Sequence, residues 1–168
     1  MFIDPQEILG HLTGHAASKV GDFGAGSGTY AYHLTERFPD GSVYALDILP
    51  QHIEAMSKKK IKNLFPVMAD IERHIPLRDS LLDAALVVNT LHALTEREKF
   101  MTELNRVVAP GGRVLIADWA ASFNDMGPRP ERVVGPGDAV RLVQAYGFSA
   151  GPMLPAGSHH YAFVAQKL

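Results

Sequence analysis

A chain of 168 residues, 46% of them hydrophobic, is long enough for one domain with its own core and too short to add a separate substrate domain. A formal charge of −2 gives no electrostatic footprint for nucleic acid or for an acidic membrane surface. The absence of cysteine excludes a disulfide framework, a thiolate zinc site and any covalent mechanism through a cysteine nucleophile. No apolar run approaches bilayer-spanning length and no signal peptide opens the chain, so a cytoplasmic location is expected.

Residues 1–18 read as a short helical lead. Asp4 is placed to cap it, Pro5 fits its first turn, and Ile8, Leu9 and Leu12 supply an apolar face before Gly14. The run Val20-Gly21-Asp22-Phe23-Gly24-Ala25-Gly26-Ser27-Gly28 then joins the end of a buried strand to a carboxylate and three alternating glycines. Such a loop lets a ligand approach the backbone closely. From Thr29 onward, Tyr30, Leu34 and Phe38 recur at helical spacing and stop before Pro39. Ser42 to Asp47 reads as a short strand ending in an acid, about 20 residues beyond the loop, where a ribose diol would be gripped. Lys58-Lys59-Lys60 is the solvated end of the next helix, where cations complement the dipole.

Leu64 to Asp70 is a third strand with a third terminal acid, and Asp83 to Asn89 a fourth. The residues between Asp70 and Asp83 contain Pro76 and leave space for a turn at most. Thr95 and Glu98 are spaced as a capping box for a helix whose Phe100, Leu104 and Val107 or Val108 face inward, ending at Pro110-Gly111-Gly112. Ala109 to Asp118 forms a fifth strand. Trp119 to Pro136 is a long Pro- and Gly-rich segment, read as an acceptor-site wall or lid, with a flexible linker as the alternative. A last helix over 136–146 buries Val140, Val143 and Tyr146 and ends at Gly147, and strands near 148–154 and 159–166 close the sheet as a hairpin. The alternation predicts an α/β fold, a Rossmann-like doubly wound, mostly parallel seven-stranded sheet with an antiparallel C-terminal strand.

The loop separates two cofactor classes. A dinucleotide fingerprint would carry its third glycine at Thr29, and Asp22 would repel a pyrophosphate while suiting a ligand with positive charge. The pattern resembles the first motif of class I S-adenosylmethionine-dependent methyltransferases, D/E-x-G-x-G-x-G. That resemblance extends over roughly residues 4–168 through the series of strand-terminal acids. It implies S-adenosylmethionine as cofactor, with S-adenosylhomocysteine as its product. It also implies a cofactor site of Asp22, Gly24, Gly26, Gly28, Asp47, Ile48, Asp70, Ile71 and Asn89. Asp47 would take the ribose, Asp70 and the Ile71 backbone the adenine amino group, and Ile48 the ring face.

The resemblance further implies a small-molecule acceptor. Asn89-Thr90-Leu91-His92 lacks the Asn/Asp-Pro-Pro-aromatic turn of amino-methylating nucleic-acid enzymes and is similar to the ubiquinone/menaquinone-biosynthesis type. Those enzymes usually carry more chain before the first strand than the 18 residues here. An open site, or coverage by the 119–136 loop or a partner subunit, is therefore expected. His92 is the candidate base or acceptor-orienting residue, with a purely structural histidine as the alternative. Asp118 and Trp119 are candidates for the acceptor pocket. His159-His160 is expected far from the cofactor edge, and its two side chains point in opposite directions, so no metal site is expected. A non-catalytic cofactor-binding or partner module is the competing reading. Nothing in the sequence specifies an oligomeric state.

Overall fold

Asp4 accepts the backbone N–H groups of Gln6 and Glu7 and so caps the first helix, α1 (Pro5–Leu9), with Pro5 in its opening turn. The computed structural model describes residues 3–123 and 126–168; Met1, Phe2, Asn124 and Asp125 lie outside the described residues. After α1 come β1 (Lys19–Phe23), α2 (Thr29–Arg37), β2 (Ser42–Asp47), α3 (Pro50–Lys58), β3 (Leu64–Met68) and β4 (Leu82–Val88). Then follow α4 (Arg97–Val107), β5 (Val108–Trp119), a single 3-10 turn (Pro130–Arg132), α5 (Pro136–Ala145), β6 (Phe148–Leu154) and β7 (His160–Lys167).

All seven strands join one sheet in the order β3-β2-β1-β4-β5-β7-β6. The pairs from β3 through β5 are parallel, and β7 runs antiparallel to both β5 and β6. Connections leave β1 toward β2 on one side while β4 lies on the other, which makes the β1/β4 boundary the switch point where open α/β sheets bind ligands. Alternation along β5 sends Val114 and Ile116 to one face, with Phe100 and Leu104 of α4 and Val143 of α5. Leu115 and Ala117 turn to the other, with Ile8, Leu34 and Met56. Both faces are thus covered, as a parallel sheet requires.

Four details depart from the sequence reading. The Thr95/Glu98 capping box does not form: Glu96 occupies the cap position of α4, and the Glu72 carboxylate accepts the Thr95 and Glu96 N–H groups instead. A carboxylate from a neighbouring turn thus takes the Thr95 N–H that the Glu98 side chain would have accepted, together with that of Glu96. In α5 the fully buried residues are Ala139 and Val143, while Val140 and Tyr146 are half-buried. Pro110-Gly111-Gly112 lies inside β5, where the β4/β5 register shifts between Leu82 and Ala84. β3 ends at Met68, so Asp70 stands in the following turn. No helix crosses from β3 to β4; Arg106 of α4 ties that segment down by donating to the Ile75 and Leu77 carbonyls.

The described part of the 119–136 segment folds back on the sheet edge. Phe123 and Met126 bridge, and a Cβ on Gly127 would stand 2.6 Å from the Trp119 ring. Farther on, Arg97 donates to the Arg132 carbonyl and Arg132 to that of Leu94.

Candidate functional site

The loop after β1 is shaped by three left-handed glycines, Gly24, Gly26 and Gly28, with φ of 74°, 56° and 94°. At Gly24 an added Cβ would lie 2.6 Å from Thr90 Oγ1, and at Gly26 it would meet nothing within 4 Å. Gly24 is therefore required by packing. Gly26 turns bare backbone toward open space, the close-approach position of a ligand loop. Thr90, which the sequence reading did not single out, reaches the Phe23 and Val88 carbonyls at 2.9 and 3.0 Å and fastens the end of β4 to the end of β1.

Asp47 ends β2 and holds the loop. Its Oδ2 accepts the Gly26 N–H at 2.8 Å, and its Oδ1 accepts the Leu49 N–H at 2.9 Å and faces His52 Nδ1 at 3.0 Å. Burial opposes ionisation, but the hydrogen bonds from Leu49, His52 and Gly26 outweigh it and hold the carboxyl below its ordinary range. Asp47 is thus an acceptor-only group at the rim of a cavity of about 510 Å³. Gly24, Gly26, Asp47, Ile48, Asp70, Ile71 and Asn89 all line that cavity. His52 lines it as well, and only its contact with Asp47 reveals it, since a histidine on a helix face carries no distinctive spacing. Ile48 is 59% exposed, an apolar side chain left uncovered beside the carboxylates.

Asp22 takes a different position. It is 2% exposed, does not line the cavity, and accepts the Ala31 backbone N–H at the start of α2, while its Oδ2 has no partner among the described residues. Burial, followed by the nearby Asp47 charge, pushes its pKa up to about 7. Gly28 likewise stands behind the loop, where a Cβ would meet Met56 and Tyr32.

The second cluster lies at the ends of β4 and β5. His92 Nδ1 is 2.6 Å from Asp118 Oδ1, the His92 backbone N–H donates to Asp118 Oδ2, and Trp119 N–H donates to Asp118 Oδ1. Asp118 is 1% exposed, and a carboxylate at Nδ1 places the imidazole proton there and leaves Nε2 as an acceptor. Trp119 packs between the 119–136 loop and His160, whose ring centroid is 4.3 Å away. The expectation that His159-His160 lies far from the cofactor edge is overturned. β7 is antiparallel to β5, so its first residue pairs with the last of β5, Trp119↔His160. Among the described residues no group of three or more His, Asp or Glu side chains could hold a metal, and no helix is long and apolar enough to cross a membrane.

Comparison with known proteins agrees with this geometry. The sequence profile described as a methyltransferase domain matches residues 21–116, more than half of the chain. The chain belongs to the methyltransferase domain family. Among its relatives, the malonyl-[acyl-carrier protein] O-methyltransferase of Geobacter sulfurreducens is 31% identical over 101 residues, covering 56% of this chain and 36% of that protein. The demethylmenaquinone methyltransferase of Thermus thermophilus is 28% identical over 107 residues, covering 62% of this chain and 48% of that protein. The matched segments thus span less than half of either relative's own length. The crystal structure of an S-adenosylmethionine-dependent methyltransferase from Aquifex aeolicus superposes with a TM-score of 0.90 at 28% identity, covering 99% of this chain and 91% of that one.

Family membership implies S-adenosylmethionine as the cofactor, and the residues present fit it. Gly26 offers open backbone, Ile48 an uncovered apolar face, Asp47 a deprotonated acceptor pair, and Asp22 an orphaned buried carboxylate oxygen for a cationic group to neutralise.

Proposed function

We propose that this methyltransferase moves a methyl group from S-adenosylmethionine to a small-molecule acceptor that gives up a proton in the reaction. The observation that carries the reading is the placement of the Asp118-held His92 imidazole at the same sheet edge as the cavity of Gly26, Asp47 and Asp70. The two named relatives give malonyl-[acyl-carrier protein] and demethylmenaquinone as acceptors, unlike each other and neither of them a nucleic acid. They support the class of chemistry rather than one substrate.

When bound, the cofactor supplies an electrophilic methyl group on a good leaving group, so the protein's work is alignment, exclusion of water and proton handling. In this reading Asp47 accepts from the ribose diol with lone pairs left over from its bonds to Gly26 and Leu49. Ile48 covers one face of the adenine, while Asp70 and the Ile71 backbone take its amino edge. Asn89 and the glycine loop hold the amino-acid end, and Asp22 balances positive charge from beneath. His92 Nε2 takes the acceptor proton, Asp118 stabilises the imidazolium that results, and the 119–136 loop walls the acceptor side.

Release of S-adenosylhomocysteine from S-adenosylmethionine in the presence of a fractionated metabolite extract tests the proposal. A fraction that drives release by the native protein, and none by Asp47→Ala, is expected. Tight cofactor binding with no release from any fraction would favour the non-catalytic module.

A further inference from the structure

Asp47 has fewer free acceptor positions than a ribose diol requires. An ionised carboxylate offers about four lone-pair positions. Three are taken, since Oδ2 accepts the Gly26 N–H at 2.8 Å while Oδ1 accepts the Leu49 N–H at 2.9 Å and meets His52 Nδ1 at 3.0 Å. His52 thus fills one of the two positions that Gly26 and Leu49 leave, and the last lies on Oδ2. One hydroxyl of the diol can donate there. The other needs a second acceptor, because a hydroxyl held against the cavity wall without one forfeits the bond it made to water.

His52 is placed to supply it. α3 opens three residues after Asp47 with Pro50 in its first turn, and that turn sets the His52 ring beside the carboxylate. The ring lines the same cavity as Gly26, Asp47 and Ile48, with its side chain 31% exposed. Hydrogen bonding holds the Asp47 carboxyl below its ordinary range, so it carries no proton and Nδ1 is the donor in their contact. In the neutral ring Nε2 then keeps the lone pair. Among the described residues the bond to Asp47 is the one hydrogen bond of the His52 side chain. A lysine or arginine could hold Asp47 as firmly but has no lone pair to offer, whereas an imidazole grips the carboxylate with one nitrogen and leaves the other for a ligand.

We propose that His52 is the second ribose-binding residue of the cofactor site: Asp47 Oδ2 accepts one hydroxyl of the diol and His52 Nε2 accepts the other. The proposal rests on reading Asp47 as the ribose acceptor of S-adenosylmethionine. It makes the pair, rather than the carboxylate alone, the determinant of specificity for a ribose with both hydroxyls. An analogue lacking either hydroxyl leaves one acceptor unpaired, and the site rejects it on that account.

The test titrates the full chain calorimetrically with S-adenosylhomocysteine and with its 2′-deoxy and 3′-deoxy analogues, at about pH 8, where a free imidazole is neutral. Each analogue should bind the native protein about tenfold more weakly, the scale of one hydrogen bond left unmade. His52→Asn keeps a donor at the place of Nδ1 and has nothing at the place of Nε2. It should bind S-adenosylhomocysteine about tenfold more weakly than the native protein does and cease to distinguish it from one analogue, while still rejecting the other. His52→Gln returns an oxygen near the place of Nε2 and should regain part of that discrimination. In the native protein with ¹⁵N-labelled histidine rings, the His52 Nε2 signal should take the shift of a hydrogen-bonded acceptor with S-adenosylhomocysteine and one analogue, and keep that of the free ring with the other. Native affinity in His52→Asn, a loss by the same factor for all three ligands, or an Nε2 signal indifferent to both hydroxyls would overturn the proposal and leave His52 a support for Asp47. A native protein that takes up no S-adenosylhomocysteine would overturn the cofactor reading beneath it as well, and the first titration shows this before any analogue or variant is used.

Discussion

Asp118 holds His92 with both of its oxygens, Oδ1 at 2.6 Å from the ring Nδ1 and Oδ2 at 3.1 Å from the backbone nitrogen. One carboxylate so fixes the tautomer of the imidazole and the start of the segment that carries it. General-base assistance contributes typically 10²–10⁴-fold. His92→Ala and Asp118→Asn should each lower the rate of S-adenosylhomocysteine release by at least about 10²-fold on an acceptor that must lose a proton. Neither residue lines the cofactor cavity, so calorimetric affinity for S-adenosylhomocysteine should hold within twofold. A full rate from Asp118→Asn would show the pair to be structural.

Asp22 links cofactor binding to pH. Its folded-state pKa of about 7 lies above the ordinary carboxylate value of 3.8, and a cationic ligand nearby favours the ionised form. Binding of S-adenosylmethionine should therefore release protons near neutral pH, and affinity should rise between pH 6 and 8. Calorimetry in buffers of different ionisation enthalpy reads this directly.

The same group sets a stability trend. The native state holds the Asp22 proton up to about pH 7, whereas the unfolded chain releases it near 3.8, so stability falls as pH rises through that window and levels off above it. Asp22→Asn should melt higher than the native protein at pH 8, by an amount on the order of 1 kcal/mol or more, and bind cofactor more weakly. A variant that melts lower and binds equally well would contradict both assignments.

Much of this was legible in the chain. The strand-terminal acids and the spacing of Gly24, Gly26 and Gly28 are local patterns, and the right-handed crossovers that alternate with them leave few topologies to choose from. The Pro5, Pro39 and Gly147 boundaries of helices follow from single-residue backbone limits in the same way. What escaped depends on pairing across the sheet. The approach of Thr90 to Gly24 and of Glu72 to the start of α4 joins residues distant in sequence. The hairpin returns His160 to the ligand edge because an antiparallel strand begins where its parallel neighbours end, a relation no local pattern reveals. The burial of Asp22 is likewise a property of α2 folding over the strand end rather than of the loop motif.

Two glycines should separate fold from ligand. Gly24→Ala drives a methyl group into Thr90, at 2.6 Å from Oγ1, and should destabilise the protein by about 2–3 kcal/mol through clash and left-handed strain. Gly26→Ala meets no protein atom within 4 Å, so its stability cost should be near the strain alone, about 1 kcal/mol, with most of the damage appearing as lost cofactor affinity. Thermal melting and calorimetry on both variants check the contrast, and Gly26→Ala with undiminished affinity would move the ligand elsewhere.

Asp47 both holds the Gly26 amide and lines the cavity. Asp47→Ala should weaken S-adenosylhomocysteine binding by roughly 1.5–3 kcal/mol, the range of charge-assisted hydrogen bonds. Asp47→Asn, which keeps one acceptor oxygen, should lose less. Equal affinity of Asp47→Ala and the native protein, with the fold intact, would reduce the carboxylate to a support for the Gly26 and Leu49 amides.

Calorimetric titration of the protein with S-adenosylhomocysteine and, separately, with NAD decides whether the cavity beside Gly26 and Asp47 takes S-adenosylmethionine or a dinucleotide. Saturable binding at one site per chain for S-adenosylhomocysteine and no heat from NAD is the predicted result. Binding of NAD with no response to S-adenosylhomocysteine would make the cavity a dinucleotide site instead.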